Sequence, residues 1–371
     1  MSVLPLEMRV KIASALSEGV SMRSTERLTG VTRKTIGSLL LTLGEGCEWI
    51  EHVYLHDLTC DVLELDEVWA YVGCKEAHRD QFDPDEYGDC YTFVALDATS
   101  RAVITHLSDK RTAAAATTFA QELRARVKGK PQLTTDGWKS YLEAIESAFG
   151  KRVHYAQILK TYFDERESDD APREDVRLSG RRVVRSVKHP LLGSPDEDRI
   201  STSYVERSNL TTRMWCRRLT RLTTCFSRRL CFLRAALALH FATYNFVRVH
   251  KALRVTPAMQ LGVTDHVWSM EELVVEALGA LDGSPPPCTP PAAKLSGLTE
   301  ALVPGARTRA ARRAEARKQK RREGAARAET TGIETARAEA SGELPALSFG
   351  EGAPCVLPEP PRADQDFRWM W

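Results

Sequence analysis

The sequence predicts an α/β protein that begins with a small helical region and ends in a tail with no fold of its own. Three observations carry this. Residues 7–45 hold three short helical patterns. Between residues 62 and 155, apolar strand-like runs alternate with helical ones. Beyond residue 282 the composition turns Pro-, Arg- and Ala-rich. At roughly 100–200 residues per domain, 371 residues suit two or three units. The expected division is 1–50, 58–280 and 282–371, and a hydrophobic content of 43% supports a sizeable core.

The first helical pattern, Glu7 to Glu18, places Val10, Ala13 and Leu16 near one face, with Gly19 as a stop. Ser21 is suited to cap a second helix, with Met22 and Leu28 turned inward. Thr29-Gly30-Val31 makes a tight turn. Thr32 then caps a third helix that buries Ile36, Leu39 and Leu40 and exposes Arg33, Lys34 and Ser38 at its start. This is the layout of a helix-turn-helix, whose third helix enters a major groove. A plain three-helix bundle fits the same pattern, and Glu26 stands where many such motifs carry a small residue.

A loop of mixed composition leads to Val62–Asp66, which reads as a strand. Residues 74–90 are polar and acidic, a hairpin loop. Tyr91–Asp97 and Ala102–Leu107 are apolar strands joined by a turn at Ala98-Thr99-Ser100-Arg101. Thr112–Val127 is Ala-rich and helical. Pro131 opens a short strand, Gln132–Thr135, that ends at Asp136. A helix from Lys139 to Phe149 stops at Gly150, and Arg152–Tyr155 is another short strand. Residues 160–200 are highly charged, broken by prolines and glycines, and read as an inserted loop. Helical patterning resumes at Ser203 and runs with breaks to His250, and Trp268–Leu281 forms a last amphipathic helix. The tail has too little apolar content to fold alone, so it is expected to be mostly disordered. Its stretch Arg307–Arg322 holds nine basic residues and one acid.

The formal charge is only +2, but its distribution is uneven. From Arg207 to Thr264 there are eleven Lys or Arg residues and no Asp or Glu, which reads as a surface for a polyanion. Nine scattered cysteines without a CxxC pair argue against a disulfide framework and a structural zinc. The N-terminus lacks the features of a secretory signal. Leu230–Val247 carries Arg234 and His240 and reads as a buried helix rather than a membrane span. The expectation is a cytoplasmic, nucleoid-associated protein with no membrane partner.

A strand, hairpin strand, hairpin strand, helix, strand order describes the first half of a ribonuclease H-like fold. In that fold one carboxylate sits on the first, central strand, a second ends the fourth strand beside it, and a third comes from a later helix packed on the sheet. Asp66, Asp136 and Glu206 occupy those places. Cleavage of a phosphodiester must stabilise charge on both the attacking and the leaving oxygen, which two divalent ions about 3.5–4 Å apart accomplish. Magnesium prefers oxygen ligands, so carboxylates suit it. Glu206 has no acidic neighbour for the next 58 residues. Arg213 lies two helical turns on along the same face, within reach of a phosphate held at the metals. Arg207, Arg217, Arg218 and Arg221 extend the positive strip, where phosphate contact supplies affinity without sequence choice. Trp215 is expected to pack. Asp97 reads as a turn former, and Glu67 leaves the other face of the strand from Asp66, making it a poor metal ligand. His154, His240 and His250 read as packed or hydrogen-bonded histidines. Cys74 with His78 lacks a second pair to complete four ligands.

The segments LELDEVWAYVG, YTFVALDATSR, LTTDGWKSY, STSYVERSNLTTRMWCRRLTRLT and HFATYNFVRVHKALRVTPAM resemble those of bacterial insertion-sequence DDE transposases of the insertion-sequence-one type, over roughly residues 5–275. The resemblance implies a ribonuclease H-like domain that nicks and joins transposon ends with Mg2+ or Mn2+. It makes Asp66, Asp136 and Glu206 the catalytic, metal-binding acids and Arg213 the basic partner after the glutamate. Double-stranded DNA, as transposon ends and target, is the implied partner, with a homo-oligomer on paired ends. Two departures stand out: no cysteine zinc finger precedes the helix-turn-helix, and the interval from Asp136 to Glu206 is long. The alternatives are a catalytically dead DNA-binding regulator and a structure-selective nuclease of the same fold.

Overall fold

A computed structural model describes residues 4–163, 182–220 and 223–282. The predicted tail, Arg221 and the middle of the predicted 160–200 insertion lie outside the described residues.

Three helices open the chain: α1 (Leu6–Ser17), α2 (Met22–Thr29) and α3 (Arg33–Tyr54). The expected caps are present, since the Ser21 hydroxyl accepts from Ser24 N and the Thr32 hydroxyl from Thr35 N. Gly30 ends α2 in the left-handed region at φ 72°. Leu28, expected to point inward, is instead 73% exposed, because α2 buries only Thr25. The third helix is also far longer than the pattern in 7–45 implied. Gly44 and Gly46, unfavourable in a helix interior by propensity, are the positions where other helices come closest. A Cβ on Gly44 would overlap Ala235, and one on Gly46 would overlap the Ala277 carbonyl.

A short strand β1 (Leu58–Thr59) precedes β2 (Val62–Val72), β3 (Gly88–Asp97) and β4 (Val103–Asp109). Then come α4 (Ala113–Arg126), β5 (Val127–Lys128), β6 (Gln132–Asp136), α5 (Ser140–Phe149), β7 (His154–Phe163) and β8 (Arg182–Leu192). β1 pairs with β5, and the other six strands form one mixed sheet in the order β4-β3-β2-β6-β7-β8. β2 is antiparallel to β3 and parallel to β6, β6 is parallel to β7, and β7 is antiparallel to β8. The protein is thus a mixed α/β fold on a central mixed sheet. The predicted loop at 160–200 is corrected at both ends: β7 runs on to Phe163, and β8 extends the sheet at its edge. Residues 185–190 of β8 are solvent-exposed on both faces, so the apolar alternation that marks a strand is missing. Pro190 is tolerated because the strand is an edge.

The central strands of the sheet are covered on both faces. Leu63 and Leu65 of β2 pack with Phe93, Phe119, Tyr141 and Ile145, the face covered by α4 and α5. Val68, Ala70 and Val72 point the other way, towards helices α6 (Ser203–Trp215) and α7 (Leu230–Ala242), through Val205, Leu233, Leu237 and Phe241. A π-helical turn, Thr243–Val247, follows α7. There Asn245 accepts from Val103 N (3.0 Å) and donates to Val103 O (2.9 Å), pinning the end of α7 to the start of β4. Leu230–Val247 is long and apolar enough to cross a membrane by length and composition, and 67% of it is buried inside the fold. Helices α8 (Pro257–Gln260) and α9 (Met270–Asp282) complete the described chain, with α9 packed on α3.

Gly46→Ala should therefore cost about 1–3 kcal/mol, the range for overpacking a filled interior. Gly279→Ala, in open space on α9, should be neutral or slightly stabilising. Thermal denaturation of the two variants checks this, and equal melting temperatures would contradict the close α3–α9 packing.

Candidate active site

Asp66 lies in the middle of β2 and Asp136 at the C-terminal end of β6, the parallel neighbour of β2. Glu64 of β2 sits opposite Thr134 of β6, so two residues further on the carboxylates of Asp66 and Asp136 fall side by side. The Asp136 Oδ1 atom accepts from the Trp138 backbone N–H (3.0 Å), an Asx turn that fixes the carboxylate at the strand end. Asp66, Glu67 and Asp136 each offer an oxygen, and the three lie within 4.8 Å of one another. This corrects the expectation that Glu67 is placed too far round the strand to join a metal site. Its side chain does leave β2 on the α5 face, only 5% exposed, but Asp136 at a strand terminus is reached from either face.

The Arg111 guanidinium lies between Glu67 (3.3 Å) and Asp136 (3.2 Å) and stacks 4.6 Å over the Trp138 ring. It joins the two carboxylates across the strand end and neutralises part of their charge.

The helix carrying Glu206 is tied to the same strand. Glu64, 1% exposed, points from β2 to the N-terminus of α6 and accepts from the N–H groups of Tyr204 (2.7 Å) and Val205 (2.9 Å). A carboxylate at a helix N-terminus meets both unpaired amides and the positive end of the helix dipole. Arg101 stacks 3.2 Å over the Tyr204 ring from the β3–β4 turn. Three residues after Glu206 on the helix, Asn209 donates to Asp66 Oδ2 at 2.8 Å. Residues three apart share a helix face, so Glu206 is presented on the Asp66 side. It accepts from the Thr202 hydroxyl (2.7 Å) and pairs with the ammonium of Lys160 on β7. Of the three expected acids, Asp66 and Asp136 come together with Glu67 within 4.8 Å, while Glu206 stands outside that group but close enough to act on the Asp66 charge; Asp66 and Asp136 are half-buried and Glu206 is exposed.

The electrostatics follow from that crowding. Burial pushes the Asp66 carboxyl up to about 6, and repulsion from Asp136 and Glu206 adds to it, against the Asn209 hydrogen bond. Burial likewise raises Glu67 to about 7, helped by Asp136 and opposed by Arg111. Burial also raises Glu64, while the two α6 amides oppose the rise.

Among the basic residues expected to meet DNA, Arg33, Lys34 and Arg207 are exposed and Ser38 is half-buried. Arg33 is ion-paired with Glu26 at 2.7 Å. Arg213 donates to the Leu219 carbonyl (3.4 Å), at the turn that follows α6. Arg217 and Arg218 lie in that turn, and Arg221 falls outside the described residues. Asp97 is a turn former as read, accepting from the backbone and hydroxyl of Ser100. His240 is a core histidine, depressed to about 3 by burial, and His154 accepts from Ser194 N. Trp215 lies beneath the Arg248 guanidinium at 3.8 Å. Reasoning from sequence missed Glu64, Arg111, Lys160 and Asn209. Glu64 had a signal, since it stands two residues before Asp66 and so on the same face of the strand. Asn209 had one too, one helical turn after Glu206.

No protein-family profile matches the chain, and no curated protein matches it in sequence. Among solved structures the chain is similar to the piggyBac transposase in its synaptic complex with hairpin DNA. There 11% of residues are identical over 84% of this chain and 76% of that one, with a TM-score of 0.35. It is also similar to the Mos1 pre-cleavage transpososome (14% identity, 42% of this chain and 60% of that one, TM-score 0.17). A third is the Mos1 mariner paired-end complex with Mn (14% identity, 40% and 58%, TM-score 0.17).

Two outcomes are expected of the protein held without metal. A carboxyl raised in the fold stabilises it below its unfolded value, and that stability is lost as pH rises to the folded value. For Asp66 this window runs from 3.8 to about 6, and for Glu67 from 4.5 to about 7. Asp66→Asn keeps an acceptor for Asn209 and removes the charge. It should raise stability at pH 8 in chelator by about 1–3 kcal/mol and leave it unchanged near pH 4; a variant less stable than wild type across that range would contradict the crowding. Glu64→Ala leaves two helix amides buried without an acceptor and should cost about 2–4 kcal/mol. Glu64→Gln should restore part of this, as read by denaturant unfolding.

Proposed function

We propose that the chain is a DNA transposase, with a ribonuclease H-like catalytic domain over residues 58–280 and a helix-turn-helix over residues 1–50 that binds the terminal inverted repeats of its element. The observation that carries this is the tie between α6 and Asp66. Two carboxylates end side by side on neighbouring parallel strands, and the helix bearing the third is hydrogen-bonded to one of them. The acid-free basic segment that follows Glu206, and the resemblance of the segments around all three acids to insertion-sequence transposases, support the same reading.

The donor set fits a hard divalent ion, because every group offered is a carboxylate oxygen and the crowded acids repel one another. Asp66, Asp136 and Glu206 would hold the metal, with Glu67 beside the first two. When bound, Mg2+ or Mn2+ would stabilise the charge that builds on the attacking and leaving oxygens. The chain's own residues do the rest. Asn209 fixes the Asp66 carboxylate, the Trp138 amide fixes Asp136, and Thr202 fixes Glu206. Arg111 and Lys160 place positive charge beside the incoming phosphate, and Arg207 continues it along α6. Water attacks the scissile phosphorus at the transposon end, a P–O bond forms as the bond to the 3′ oxygen breaks, and a 3′ hydroxyl is released. That hydroxyl then attacks a phosphodiester of target DNA, so one P–O bond replaces another and no energy source is needed. Two ends must be held together for this, which calls for a homo-oligomer on paired duplex ends.

Strand transfer with duplex DNA carrying the element's own terminal repeats tests the assignment. Asp136→Asn should lower metal-dependent nicking and joining by about a thousandfold or more while DNA binding persists. Activity retained by that variant would overturn the assignment of the acids.

A further inference from the structure

Between the N-terminal helices and the end of α6 lies a cavity of about 620 Å³. Arg23, Arg33, Arg217, Arg218 and Arg228 line it, and no Asp or Glu among the described residues does. Its walls are fastened together. The Gly19 turn abuts the Trp215 carbonyl, where an added Cβ would come within 3.0 Å, and Arg248, stacked on Trp215, donates to Ser17 O at 3.1 Å and pairs with Glu18 at 2.7 Å.

The decisive group is Arg218. Its guanidinium is held by neutral partners, the Ser227 hydroxyl (3.0 Å) and the Met22 sulfur (3.2 Å), and faces the Phe232 ring at 5.6 Å. It has no carboxylate partner among the described residues, and burial lowers its pKa. Arg23, Arg217 and Arg228 have none either, and only Arg33 is neutralised, by Glu26. A guanidinium withdrawn from water without a counter-ion is costly. A preformed cavity that keeps one, ringed by three more without acids, is built for an anion that arrives from outside. Arginine presents planar pairs of donors that match phosphate oxygens, and the volume far exceeds that of one small ion.

We propose that this cavity binds a phosphate of a nucleic-acid strand, with Arg218 as its inner contact and Arg23, Arg217 and Arg228 at its mouth. The proposal rests on the DNA-processing reading and deepens it: the strand would pass from the N-terminal helices, through the cavity, along α6 to the acids. Arg218 is then a binding residue that works against the stability of the free protein.

The test uses the full chain, Arg218→Met and the exposed-rim variant Arg228→Gln. Binding of a duplex oligonucleotide is measured against salt concentration, and melting temperature is measured without DNA. Arg218→Met should bind about tenfold more weakly, with a salt slope lower by about one, and should melt at or above the wild-type temperature. Arg228→Gln should weaken binding with its melting temperature unchanged. If both variants bind with wild-type affinity and slope, the proposal fails. If Arg218→Met melts well below wild type and Arg228→Gln binds normally, the arginine is structural and the proposal fails. If inorganic pyrophosphate raises the wild-type melting temperature but not that of Arg218→Met, while oligonucleotide binding is unaffected in both variants, the cavity serves a small phosphorylated ligand and the strand assignment is overturned. Because no arm depends on nicking, loss of the transposase reading would register separately, as metal-dependent cleavage that never occurs.

Discussion

The site depends on how one helix is held against one strand. Glu64 and Asp66 leave β2 on the same face, two residues apart, and both reach α6. Glu64 takes the first free amides of the helix, and Asp66 takes the Asn209 amide one turn later than Glu206. Two attachments, one at the helix start and one along its side, fix both the height of the helix on the strand and its rotation about its own axis. Val205 packs into the core between them. Glu206 projects from an otherwise exposed surface, yet its position relative to Asp66 is set by buried contacts. A site that must hold ligands to within a fraction of an ångström is better served by such anchoring than by a loop.

That arrangement gathers four carboxylates, Asp66, Glu67, Asp136 and Glu206, in one corner of the sheet. The chain manages their repulsion in two ways. The less exposed members, Asp66 and Glu67, have carboxyls raised towards neutrality, so part of the charge is not expressed at mildly acidic pH. The more open members are met by cations from neighbouring elements: Arg111, just beyond β4, bridges Glu67 to Asp136, and Lys160 on β7 meets Glu206. Both cations are only partly exposed, and Arg111 is further fixed by the Trp138 ring, so the pairing is more persistent than a surface ion pair. On the proposed mechanism these groups have a second use. With a divalent metal held by the acids, Arg111 and Lys160 would be free to face a phosphate.

Much of this was legible in the sequence, and the gaps have physical causes. The strand that carries Asp66 and the strand end at Asp136 were read correctly because each lies beside an apolar run; the helix that carries Glu206 was also read correctly, although Val205 is the one apolar residue on its buried face. The helix caps at Ser21 and Thr32 were read from local chemistry. By contrast, β8 was taken for loop because an exposed edge strand has no buried face and so no period-2 signal. The second half of α3 was missed because its glycines serve close contact with α7 and α9, a tertiary effect that propensity opposes. Leu28 was turned the wrong way because a short helix on the surface need not bury every apolar residue. Arg111 and Lys160 carried no signal. Their roles arise only from pairing between strands far apart along the chain.

The length and burial of α3 bear on how the two proposed activities are coupled. Its N-terminal turn carries Arg33 and Lys34, the side chains proposed to read DNA, and its C-terminal half is buried with α7 and α9 in the same core as the sheet. At 1.5 Å per residue its 22 residues span about 33 Å. A reader joined to a nuclease by a flexible linker lets the distance between bound sequence and cut vary. A reader that is the free end of a core helix does not, because moving it requires unpacking Gly44 from Ala235 and Gly46 from Ala277. If the chain reads and cuts DNA as proposed, the position of cleavage relative to the recognised sequence would be a property of helix packing, fixed before any DNA is bound.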